Sequence, residues 1–164
     1  TRRSSDLAPS LIVFSLFKEM DYSGAMESLA GVFPYLAFLL SVFSALRLAK
    51  FNNDTRQTSS FVGLPVPANA LFWASLVTGA HDWLVSSNFH PVYLLLLVCL
   101  FSWLLVSEIP MFSLKFKNLS WKDNKTSFIF LLVCIPFLIF LGICSFSAII
   151  VWYILLSLIT RKSK

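Results

Sequence analysis

Charge is scarce in this sequence. Asp, Glu, Lys and Arg together make up 13% of its 164 residues, about half the share of an ordinary soluble domain. The charges that do occur fall between long apolar runs, so no stretch is polar enough to form a water-facing domain of its own. Glycine is also sparse, with 5 residues, and no glycine-rich phosphate loop or dinucleotide fingerprint occurs; nor does a nucleophile elbow or an HExxH helix. A soluble catalytic domain of a familiar kind is thereby excluded. The 3 cysteines, Cys99, Cys134 and Cys144, lie in apolar runs without CxxC spacing and read as buried, reduced thiols rather than disulfides or metal ligands. No aromatic and basic residues interleave in a polar segment, so nucleic acid is not an expected partner and the net charge of +5 needs another origin.

What the sequence has in abundance is apolar and aromatic surface: 57% hydrophobic residues, 17 Phe, 5 Trp and a mean hydropathy of +0.79. That composition places the chain in a membrane. Residues 28–46 carry no charge and at 1.5 Å per residue reach roughly 28 Å, about one hydrocarbon core. Residues 61–80 form a second uncharged run, whose Pro65 and Pro67 suit a helix start because a first-turn N–H has no helical acceptor to lose. A third run, 91–107, continues past Glu108 to Lys115, with Pro110 expected to kink or end it. Residues 126–160 are uncharged throughout and as one helix would reach about 52 Å, so they must turn back, with the small residues of 142–147 as the turn. The first run, 7–17, reaches only about 16 Å and reads as the end of a longer helix.

These runs predict an all-α fold: a polytopic integral membrane helical bundle of about six transmembrane segments in a single domain, 1–164, the first segment partial. The expected helices lie near 7–17, 28–50, 67–84, 92–114, 127–141 and 146–160. With cytoplasmic N- and C-termini and alternating spans, 12 of the 13 basic residues fall inside: Arg2, Arg3, Arg47, Lys50, Arg56, Lys115, Lys117, Lys122, Lys125, Arg161, Lys162 and Lys164. Lys18 alone falls outside. That asymmetry is what the positive-inside rule requires and it accounts for the net charge. The expected location is the cytoplasmic membrane, with membrane lipids as neighbours. His81 and His90 flank an outer loop; with Asp82 they could form a metal pair, but interfacial polar residues beside Trp83 are the plainer reading. Glu108, at a helix end near the interface, reads as water-facing.

The basic interruption between two spans carries the chemistry. Arg47 and Lys50 stand three apart at a cytoplasmic helix end and so project from nearly one face, followed by Asn52 and Arg56. Two roles fit. Cations at a helix C-terminus complement the macrodipole and snorkel to head groups; alternatively they receive the phosphate of a lipid.

The segment Ala45-Leu-Arg-Leu-Ala-Lys-Phe-Asn52, a short polar linker, and Gly63-Leu-Pro-Val-Pro-Ala68 together resemble the serine-using branch of the CDP-alcohol phosphatidyltransferase family. Ala8-Pro-Ser-Leu-Ile-Val-Phe14 resembles the segment after that family's catalytic motif, and Val106-Ser-Glu-Ile-Pro-Met-Phe-Ser-Leu-Lys115 the end of a later helix. The resemblance implies a bacterial enzyme of phospholipid biosynthesis, which transfers the phosphatidyl group of CDP-diacylglycerol to L-serine and releases CMP. It implies a divalent cation, Mg2+ or Mn2+, and a homodimer as a candidate assembly. Arg47 and Lys50 would then offer positive charge to the lipid phosphate or the serine carboxylate, with Asn52 hydrogen-bonding nearby, while Gly63, Pro65 and Pro67 shape the pocket wall. Arginine suits an oxyanion because it can donate two parallel bonds.

The family's signature D-x-x-D-G-x-x-A-R…G-x-x-x-D-x-x-x-D, which binds the metals and supplies the base, is absent from these residues, so no catalytic residue and no metal ligand is expected here. With Thr1 in place of Met and a partial first span, the chain is expected to be an inactive C-terminal fragment of the enzyme. Two alternatives stand beside this reading: a non-catalytic multi-pass protein, either a transporter half or a packing subunit, and a family member using another alcohol. The first does not predict the paired motifs, and no internal repeat of transporter type is found.

Overall fold

The computed structural model describes residues 4–22, 24–52, 61–111 and 125–162. Its helices are α1 (Ser4–Glu19), α2 (Phe33–Leu36), α3 (Leu39–Asn52), α4 (Val66–Val85), α5 (Pro91–Val106), α6 (Lys125–Phe140) and α7 (Ser145–Lys162), with one two-residue strand pair, β1 (Phe61–Val62) and β2 (Pro110–Met111). Among the described residues the regular structure is helical apart from that pair. Phe33–Lys50 and Gly142–Thr160 are long and apolar enough to cross a membrane, and Pro91–Val106 and Thr126–Phe140 are shorter apolar helices. Arg2, Arg3, Arg56, Lys115, Lys117, Lys122 and Lys164, all expected on the inner face, lie outside the described residues.

Proline sets several of the helix boundaries. The continuous helix expected over 28–50 is instead broken into a 3-10 turn (Gly24–Leu29), α2 and α3. Pro34 stands in the first turn of α2, where it starts a helix instead of extending one, since it has no N–H to donate backwards. The chain then passes into α3 through tight i to i−3 bonds, Ala37 N–H to Pro34 O and Leu40 N–H to Ala37 O, both 3.1 Å. Pro65 precedes α4 with φ −61° and ψ 137°, and Pro67 lies in its first turn. His90 precedes α5 and its ring Nδ1 accepts the Val92 N–H at 3.4 Å.

The helix expected over 92–114 stops at Val106. Pro110 disfavours helical geometry at the residue before it, and Ser107 adopts an extended ψ of 148° while its hydroxyl donates to Leu104 O at 2.9 Å. The chain released there runs antiparallel to the segment before α4, pairing Phe61 with Met111 and Val62 with Pro110. At the other chain reversal Gly142 takes φ +53°, and a 3-10 turn, Gly142–Cys144, joins α6 to α7. This is shorter than the 142–147 turn expected from the small residues.

The principal packing is α1 on α4, α3 on α5, α6 on α7, α4 on α7 and α1 on α3. The main core joins Val13, Leu16 and Phe17 of α1 to Phe72 and Trp73 of α4, Val98 and Phe101 of α5, and Ile150 and Ile154 of α7. Phe72 and Phe101 stack with centroids 4.0 Å apart. A smaller cluster of Phe130, Cys134 and Leu156 fastens α6 to α7. Serines supply cross-helix bonds where backbones come close: Ser10 with Ser41 between α1 and α3, and Ser75 with Ser147 between α4 and α7. In a lipid setting each such bond contributes on the order of 0.6 kcal/mol. Cys134 is buried and Cys144 half-buried, but Cys99 is exposed on the outer face of α5, which corrects its expected burial. Apolar periodicity in a uniformly apolar helix cannot say which side faces inward.

Candidate functional site

The end of the bundle where α3 and α5 finish and α4 begins is built around Arg47 and Lys50. Arg47 is half-buried, and its Nη2 donates to the carbonyl oxygens of Val62 at 3.3 Å and Gly63 at 3.5 Å. Tyr153 on α7 lies near the guanidinium. One turn on, Lys50 Nζ donates to Glu108 Oε1 at 2.9 Å and to Val106 O at 3.4 Å. The two cations thus reach from one helix to the two segments that β1 and β2 pair together.

Backbone contacts stiffen this junction. Gly63 N–H donates to Ile109 O at 2.9 Å and Leu64 N–H to Leu104 O at 3.0 Å. Gly63 has φ +72°, and a Cβ placed on it would stand 2.7 Å from Ser107 O and 2.9 Å from Leu105 O. Glycine is required here both for the left-handed backbone and for the close approach of two main chains. Pro65 and Pro67 direct the chain from that contact into α4, and Pro67 is exposed. On α4, Asn69 Oδ1 accepts from Trp73 Nε1 at 3.1 Å. Among the described residues Asn69 Nδ2 and the Ser44 hydroxyl have no hydrogen-bond partner.

Of the residues singled out from sequence, Arg47 and Lys50 share this junction, Gly63 joins it through its carbonyl, and Pro65 and Pro67 lie just beyond it. Asn52 is the last residue of α3, and its side chain lies outside the described residues. Glu108 is exposed, as expected, and is also paired across 58 positions of sequence with Lys50. Pro110 signals that a helix ends near Glu108, yet no local pattern names its partner. Asn69 and Tyr153 carry no motif that marks them.

At the opposite end, His81 Nε2 lies 2.8 Å from Glu19 Oε2 and His81 Nδ1 lies 3.6 Å from Asp82 Oδ1. His90 serves as the cap of α5. No group of three or more His, Cys, Asp or Glu that could hold a metal ion occurs among the described residues. The divalent cation implied by the family resemblance therefore finds no fitting ligand set in them.

No family model matches this chain, and no solved structure matches it. It is 30% identical over 108 residues to the CDP-diacylglycerol--serine O-phosphatidyltransferase of Bacillus subtilis (strain 168), an overlap covering 65% of this chain and 56% of that protein. The chain thus spans little more than half the length of the curated relative it matches.

Proposed function

We propose that this chain carries the anion-receiving part of a phosphatidylserine synthase of the CDP-alcohol phosphatidyltransferase family, with CDP-diacylglycerol and L-serine as substrates. The observation that carries the reading is the junction of Arg47, Lys50 and Gly63, built from the two motifs that resemble the serine-using branch. In this reading the bundle crosses the cytoplasmic membrane six times with both termini inside, and the junction faces the cytoplasm. A guanidinium and an ammonium one helical turn apart, one half-buried and one at the surface, suit a diphosphate lying at the membrane interface. Their task is to bind and orient. Arg47, steadied by two carbonyls, holds an oxyanion in a set direction, and Lys50 adds a point charge.

The base for the serine hydroxyl, and the ligands of a divalent cation that would neutralise charge on the leaving CMP, would belong to the aspartate signature, which these 164 residues do not contain. The test joins this chain to helices bearing that signature and measures CMP release from CDP-diacylglycerol with and without serine. Serine-dependent release is expected, falling about tenfold in Arg47→Lys and about a hundredfold in Arg47→Ala. Release that is indifferent to serine points to another alcohol. Turnover that survives Arg47→Ala overturns the reading and leaves Arg47 as a topological anchor.

A further inference from the structure

The pairing of Lys50 with Glu108 is not explained by anchoring or by anion binding alone, because it places a carboxylate on a cation that would otherwise greet phosphate. Resting on the function proposed above, we propose that Glu108 is a specificity-determining residue, which holds Lys50 against singly charged phosphodiester headgroups and releases it to a diphosphate.

Three observations carry this. First, the pair is weak by construction: the side chains of Lys50 and Glu108 are 48% and 68% exposed, and exposed ion pairs contribute little because water and salt screen them. Arg47 contrasts with this, being half-buried and bonded to main-chain carbonyls. Second, the backbone beneath Glu108 is pinned on both sides. Ser107 N–H donates to Trp103 O at 3.0 Å, Ile109 O accepts from Gly63 N–H, and Pro110 and Met111 pair with β1. Breaking the ion pair therefore needs no movement of the segment. Third, Lys50 keeps one bond to fixed backbone, the carbonyl of Val106 at 3.4 Å, so its ammonium stays at the junction when the carboxylate leaves.

The electrostatic consequence is a threshold. A membrane surface is crowded with phosphodiester headgroups of one negative charge, and two uncovered cations would collect them indiscriminately. A carboxylate already bound to one cation matches such a headgroup in charge, so exchange brings little gain. A diphosphate offers more negative charge to Arg47 and Lys50 together and displaces Glu108. Discrimination then arises from a built-in competitor as well as from attraction.

The test uses the full 164-residue chain in nanodiscs of phosphatidylcholine doped equally with CDP-diacylglycerol and phosphatidylglycerol, with native mass spectrometry reading the ratio of the two lipids retained. Wild type is expected to favour the diphosphate lipid. In Glu108→Gln that preference falls about fivefold, the scale of one exposed ion pair, through greater retention of phosphatidylglycerol; Glu108→Ala gives the same direction. In Lys50→Ala retention of the diphosphate lipid falls and adding Glu108→Gln no longer alters the ratio. An unchanged ratio in both Glu108 variants, against a wild-type preference, overturns the role of Glu108 and leaves the proposed function standing. If wild type shows no preference while Glu108→Gln still raises phosphatidylglycerol retention, Glu108 does screen the site and it is the diphosphate substrate that fails. No preference and no effect of Glu108 overturn both.

Discussion

At the end of the bundle where α3 and α5 finish, side chains are tied to main chain: Arg47 to the carbonyls of Val62 and Gly63, Lys50 to that of Val106. At the end where α1 and α4 finish, His81 meets Glu19 through side chains alone, beside a break in α4 at Ala80, where φ is −126° and ψ 21°. There, too, backbone comes close, since a Cβ on Gly79 would stand 2.8 Å from Cys144 N. The difference lies in what is held still. Carbonyls of a paired, glycine-dependent segment are fixed acceptors, so the cations bonded to them are oriented before any ligand arrives. A link between two half-exposed side chains holds helices together loosely and orients nothing.

The comparison can be broken most severely at Gly63. Gly63→Ala forces a side chain into left-handed backbone and against Ser107 O, and is expected to cost about 3 kcal/mol, read by denaturant unfolding in detergent micelles. A loss below about 1 kcal/mol, the left-handed penalty without its clash, would show that the two segments separate freely and that the junction is not preorganised. At the other end His81→Ala should lower stability by less than about 1 kcal/mol, because its partner is exposed and solvent competes for the contact. A larger loss in the same assay would make the two ends equals.

A pH-dependent effect concerns Tyr22, which follows α1 and packs on Phe33 at 5.9 Å. Its hydroxyl donates to Phe17 O at 2.9 Å, and burial pushes its pKa up from 10.0 to about 12. The folded protein therefore disfavours the phenolate that the unfolded chain forms readily. Tyr22's contribution to stability is complete below about pH 10 and declines as the pH rises towards 12. Unfolding measured from pH 8 to 12 should show a steeper alkaline decline in wild type than in Tyr22→Phe; parallel curves would remove Tyr22 as the cause.

Much of the helical layout was legible because apolar length and proline act locally. Pro65 and Pro67 announced the start of α4, and the excess length of 126–160 required a reversal, which Gly142 supplies. Where reading went astray, a local signal competed with a distant one. Pro110 was visible, but α5 stops four residues earlier, at a chain that leaves to pair with Phe61 and Val62. The 28–50 run looked continuous because all of it is apolar, whereas Pro34 begins a new helix within it. Arg47 and Lys50 could be marked as a cationic pair from their spacing, while Glu108 and Tyr153 could not be joined to them, since no periodicity links residues 58 or more than 100 positions apart.

By itself, then, the sequence determined the apolar character of this protein: little charge, helices long and apolar enough to cross a membrane, and two cations at a helix end followed by a glycine and two prolines. Those properties follow from residue type and near-neighbour spacing. Tertiary structure alone decided that the cations reach backbone carbonyls, that Glu108 covers Lys50, and that Gly63 must be glycine because another main chain passes 2.7 Å from where its Cβ would be. Such facts depend on which distant segments pack together, and packing is set by the whole bundle rather than by any stretch of it.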